Sequence, residues 1–106
     1  MLKSSLLEIL RTLSKEESLK FEDFINSPYH NKSSNTIKLY SVLRKYSPDF
    51  NSEDLDKELV WKKLFPGKEY NYGTMKNLIH ELTKLAMKFI VLEEFEENIL
   101  EKDIIL

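Results

Sequence analysis

The chain holds two histidines and no cysteine, so any search for reactive chemistry begins at His30 and His80. A nucleophilic centre needs a base held against the nucleophile and oriented by a third group. His30 follows Asn26, Ser27, Pro28 and Tyr29 and precedes Asn31, with Asp23 further upstream. Nothing in that spacing enforces a catalytic geometry, and the expectation is a loop histidine hydrogen-bonded locally beside Pro28 and Tyr29. His80 follows Ile79 in a helical stretch, where a metal pair requires a second ligand three or four residues away. Those positions hold Thr83 and Lys84, and the preceding ones hold Lys76 and Asn77.

Carboxylates occur as the doublets Glu16/Glu17, Glu22/Asp23, Glu93/Glu94 and Glu96/Glu97. Acid–base catalysis needs one carboxyl in surroundings that raise its pKa, whereas helix starts and charged faces keep such groups solvated. The only glycines are Gly67 and Gly73, too few for a phosphate-binding loop. The residues therefore predict a non-enzymatic protein with no catalytic residue, metal site or cofactor.

Recognition chemistry is better represented, between Lys57 and Lys88. Leu59, Trp61 and Leu64 mark a short helix, Phe65-Pro66-Gly67 a corner, and a long helix follows. Trp61, Tyr70 and Tyr72 form a candidate partner-binding patch, because Trp and Tyr dominate interface hot spots. The plainer reading places Trp61 partly inside a helical bundle. The alternative function is helix-turn-helix-like DNA binding over 57–88, with Lys76, Asn77, His80, Lys84 and Lys88 on the reading helix. Lysine suits phosphates and asparagine suits adenine edges.

That order of short helix, corner and long helix is similar to the one in winged-helix bacterial regulators. The stretch departs from them in its long Pro66–Asn71 connector, its lack of arginine, and the acidic tail that follows in place of a wing.

These residues need elements to position them. Leu2, Leu6, Leu7, Ile9, Leu10 and Leu13 recur at helical spacing. Ser14 and Glu17 then form a capping box that starts a second helix with Leu19, Phe21, Phe24 and Ile25. Pro28 closes it near Asn26. After the polar cluster Lys32–Asn35, a third helix carries Ile37, Tyr40, Val42, Leu43 and Tyr46 and ends at Pro48. Residues 49–56 read as a connector with one short helical turn over 52–55.

Asp56 caps a fourth helix with Leu59, Val60, Leu64 and Phe65, closed by Pro66-Gly67. Asn71 caps the fifth and longest. Its stripe is Met75, Leu78, Ile79, Leu82, Leu85, Ala86, Phe89 and Leu92, continued by Phe95 and Ile99. Phe21, Phe24, Tyr40, Phe65 and Phe89 are the expected core anchors. The stripe from Met75 to Leu92 also has coiled-coil intervals, which makes a homodimer through the long helix a second expectation.

The fold predicted for residues 1–106 is thus a single all-α domain, a compact array or bundle of about five helices. A chain of 106 residues with 42% hydrophobic and 32% charged residues has the composition of an ordinary globular domain. No apolar run approaches the length of a membrane span, and no secretory h-region opens the chain, so the expected location is cytoplasmic. The formal net charge of −2 is unevenly spread. Residues 57–90 carry seven lysines against three glutamates, while 91–106 carry one lysine against six acids.

Leu13-Ser14-Lys15-Glu16-Glu17, Phe21-x-x-Phe24, Ser27-Pro28-Tyr29-His30-Asn31 and Leu64-Phe65-Pro66-Gly67-Lys68 form a set of corner motifs. Over about Leu6 to Phe95 the chain resembles the N-terminal segment of a family of long, uncharacterised helical proteins in bacteria. The resemblance implies an all-helical fold continued by further helices, and brings no activity, cofactor or catalytic residue. With the apolar end Ile104-Ile105-Leu106, it makes further helices of a longer chain an expected partner alongside other proteins.

Overall fold

The computed structural model describes residues 5–101, with side chains through Glu96. Leu2, the Ile99 side chain and the apolar end Ile104–Leu106 lie outside the described residues. Five α-helices and one 3-10 turn account for the regular structure among them, and no strand is present there. The helices are α1 (Ser5–Thr12), α2 (Lys15–Asn26), α3 (Ser34–Leu43), α4 (Lys57–Leu64) and α5 (Tyr72–Glu101). No helix among the described residues is long and apolar enough to cross a membrane.

Helix starts follow local side-chain chemistry. Ser14 Oγ accepts from the Glu17 N–H at 3.1 Å while Glu17 Oε1 accepts from the Ser14 N–H at 2.9 Å, completing the capping box. Asp56 accepts from the N–H groups of Glu58 and Leu59 at 3.1 and 3.4 Å, and Asn71 accepts from Thr74 N–H at 3.0 Å. Gly67 takes the positive φ, +80°, that its corner requires.

The start of α3 differs from expectation. Ser33 occupies the N-cap position without a side-chain cap. The order comes instead from Asn31, whose Nδ2 donates to the Ile25 carbonyl at 2.9 Å and to Thr36 Oγ1 at 2.8 Å. Its Oδ1 accepts from Ser33 N–H at 3.0 Å, and the Thr36 hydroxyl donates to the Ser33 carbonyl at 2.8 Å. Thr36 is fully buried, so this chain of bonds satisfies polar groups that would otherwise be stranded at the α2–α3 elbow.

The α3 helix also stops earlier than Pro48 demands. Its last turn tightens into the 3-10 segment Arg44–Tyr46. The connector beyond makes a turn with Leu55 N–H donating to Ser52 O at 3.0 Å, without becoming helical. It still contributes to the core. Phe50, at φ +49°, and Leu55 are both buried, and Arg11 from α1 donates to the carbonyls of Asp49 and Phe50 at 2.8 and 2.9 Å.

The long helix is the spine. It packs against α1 and α3, with α2 adding a smaller contact, while α4 rests on α3. Met75, Leu78, Ile79, Leu82, Ala86 and Phe89 enter one buried cluster with Leu6, Leu7, Leu10, Phe21, Ile25, Leu39 and Leu43. Phe21 meets the Tyr40 edge at 5.1 Å and Phe89 at 5.3 Å between ring centres, which binds α2, α3 and α5 together. Of the expected aromatic anchors, Phe24 and Phe65 are only partly buried, although both pack on this cluster. Leu59 and Leu19 are exposed, because α4 turns Val60, Trp61 and Leu64 inward and α2 turns Phe21 and Ile25.

Candidate functional site

The aromatic patch is built from the α4–α5 corner. Trp61 is 5% exposed, and its indole N–H donates to the Lys68 carbonyl at 3.1 Å. Its ring contacts Phe65 at 4.6 Å and the edge of Tyr70 at 5.7 Å. Tyr70 is half-buried by these contacts, and desolvation raises its hydroxyl pKa above the usual tyrosine value. Only Tyr72 of the three presents its ring to solvent, with the Lys57 ammonium 5.5 Å from the ring centre. The patch read from Trp61, Tyr70 and Tyr72 as an exposed anchor is therefore corrected: Trp61 and Tyr70 hold the Pro66–Gly67 corner closed.

The basic row lies where a helical reading places it. Lys76, Asn77, His80, Lys84 and Lys88 are all exposed on α5, with Glu81 among them. The arrangement around them departs from a helix-turn-helix. The partner of α4 is α3, and no comparable packing joins α4 to α5.

His30 also differs from expectation. Its backbone N–H donates to Ser27 O at 3.1 Å, but its imidazole stacks on Phe24 with ring centres 4.4 Å apart. Nδ1 is buried there without a hydrogen-bond partner. Three of the carboxylate doublets each lend one member to a structural task. Glu17 closes a cap, Glu22 pairs with Arg44 at 2.7 Å, and Glu93 pairs with Lys20 at 3.5 Å. Among the described residues no three His, Asp or Glu side chains cluster as metal ligands would.

One feature escaped the sequence reading: α5 has a second apolar face. Met87, Val91 and Phe95 are 56%, 64% and 61% exposed, and Leu92 beside them is 37% exposed. Their spacing of four residues sets them in one ridge along the helix. At 100° per residue, Val91 lies about 180° around the helix from the fully buried Leu82. Leu92 and Phe95 thus leave the core stripe to which their spacing had assigned them. The ridge occupies the reverse face, with Lys84 and Lys88 on one flank and Glu94 on the other, all exposed.

The dimer seam read from Met75 to Leu92 is corrected by the same geometry. Met75, Leu78, Leu82 and Phe89 are buried against the other helices and cannot face a second copy. The sequence signal for the reverse ridge was present, since Met87, Val91 and Phe95 recur at helical spacing. The core stripe has the same spacing, and only packing against α1 and α3 distinguishes the two. Comparison with known families, curated proteins and solved structures finds no match for this chain.

Proposed function

We propose that the protein is a non-enzymatic helical interaction module that engages another protein through the reverse face of α5. The observation that carries this reading is the Met87–Val91–Phe95 ridge, three large apolar side chains more than half exposed in one line on an ordered helix. Isolated exposed apolar residues are common on protein surfaces, whereas a contiguous row bounded by charge has the composition of an interface core with its polar rim. Lys84 and Lys88 on one flank and Glu94 on the other supply that rim. The resemblance to the head of longer helical proteins is compatible with such a role, since further helices of a longer chain would be covered in the same way.

A photo-activated cross-linking residue placed at Val91, compared with one at exposed Lys38 on α3, tests the proposal in cells. Discrete protein adducts at position 91 that are absent at position 38 are expected. Equal, diffuse labelling at both positions would remove it.

DNA binding through Lys76, Asn77, His80, Lys84 and Lys88 is the second reading, supported by the common exposure of all five. Phosphate-driven binding weakens steeply with salt, so mobility shifts at low and moderate salt discriminate. No shift at low salt would eliminate it.

A further inference from the structure

We infer that the cleft between α2 and the end of α3 binds a small carboxylate carried on an apolar body. This goes beyond the interaction reading and is independent of it, because no residue of α5 lines the cleft. Lys15, Ser18, Leu19 and Glu22 are spaced to share one face of α2. Tyr40, Arg44 and Ser47 do the same on α3 and its 3-10 extension. Between these faces lies a recess of about 340 Å³, at the small end of the range for small-molecule sites. Tyr40 is the most deeply buried residue of the lining, whereas Leu19 and Pro48 are exposed at its rim.

Leu13, Leu19, Pro48 and the Tyr40 ring offer contact to an apolar body and nothing polar to hold one end of it. The polar groups divide into those already committed and those with capacity to spare. Glu22 carries the only negative charge of the lining, and Arg44 Nη1 donates to its Oε1 at 2.7 Å. The Tyr40 hydroxyl is committed to the Ser18 carbonyl at 3.3 Å. Arg44 keeps further N–H donors beyond the one used by Glu22, on a side chain that is half exposed. Lys15 has no ion-pair partner among the described residues, and the Ser18 and Ser47 hydroxyls have no protein partner there. The lining thus has one unbalanced positive charge and several free donors. A carboxylate only accepts and carries the opposite charge, so it uses both. A cationic head would have to compete with Arg44 for Glu22.

Hydrocinnamate and its uncharged amide, titrated into the full isotope-labelled chain and followed by amide chemical shifts, test the assignment. Saturable shifts are expected around Ser18, Leu19, Tyr40 and Arg44, with the acid bound about tenfold more tightly than the amide. Lys15→Gln should weaken the acid about threefold and leave the amide unchanged. Leu19→Gln should weaken both. Lys15 and Leu19 are exposed, so each variant should keep the helical circular dichroism of the parent.

Shifts that rise linearly to millimolar concentration, that gather at Met87, Val91 and Phe95, or that ignore Leu19→Gln would remove the cleft as a site. Equal affinity for acid and amide, or indifference of the acid to Lys15→Gln, would overturn the carboxylate as its occupant. Either failure leaves the reading of the α5 ridge to its own cross-linking test.

Discussion

Two polar side chains packed in or beside the core show how individual residues fix the structure. Asn31 is both donor and acceptor at the α2–α3 elbow, a combination that Asp cannot supply because a carboxylate only accepts. Asn31→Asp removes the bonds to Ile25 O and Thr36 Oγ1 and should destabilise the protein by about 1–3 kcal/mol, measured by urea unfolding. Tyr40 on α3 is buried with its ring edge against Phe21 of α2, and its hydroxyl donates to the Ser18 carbonyl at 3.3 Å. Burial, with the nearby Glu22 charge second, raises its pKa above the ordinary value of 10.0.

The unfolded tyrosine therefore ionises first as pH rises. The stability Tyr40 contributes is whole below the unfolded value and is lost as pH climbs through the folded one. Unfolding free energy followed through this alkaline range should fall less steeply for Tyr40→Phe than for the parent. Sequence spacing located Tyr40 and Phe21 in the core, because a helix stripe needs no knowledge of distant residues. It missed Asn31 as a lock and His30 as a stacking partner, since their roles depend on where the loop returns across α2.

At the scale of elements, the caps at Ser14, Asp56 and Asn71 were legible because each bond spans two or three residues. Ser14→Ala breaks a closed reciprocal pair and should cost about 1 kcal/mol in urea unfolding. Gly67 has open space where a Cβ would stand, so the cost of Gly67→Ala arises from the backbone alone. At φ +80° that cost should be about 1–2 kcal/mol, with Gly67→Asn less severe because Asn tolerates the left-handed region.

The 49–56 connector was not legible. Phe50 and Leu55 are core residues because Arg11, far away in sequence, holds the carbonyls of Asp49 and Phe50. The α4 face was only half legible: Leu59 and Val60 are neighbours in sequence, and the docking of α4 on α3 decides which turns inward.

Over the whole molecule, α5 combines a buried face and a reverse face with different chemistry. A 30-residue helix is about 45 Å long, within a molecule whose principal extents are 54 × 27 × 18 Å. The bundle covers one face of it through Phe89, and the exposed Val91 and Phe95 lie further along the same helix. Helical class, helix number and the length of α5 followed from apolar periodicity and punctuation. The functional surface did not, because a 3.6-residue period locates an apolar stripe without saying which neighbour it meets.

A cross-linking scan along the exposed face of α5 in cells locates the docking surface most directly, with probes at Lys76, His80, Lys84, Met87, Val91 and Phe95. Protein adducts should peak at Met87, Val91 and Phe95 and fall away towards Lys76. A maximum at Lys76 to Lys84 that disappears with nuclease treatment, or a flat profile, would contradict the assignment of the apolar ridge as the docking surface.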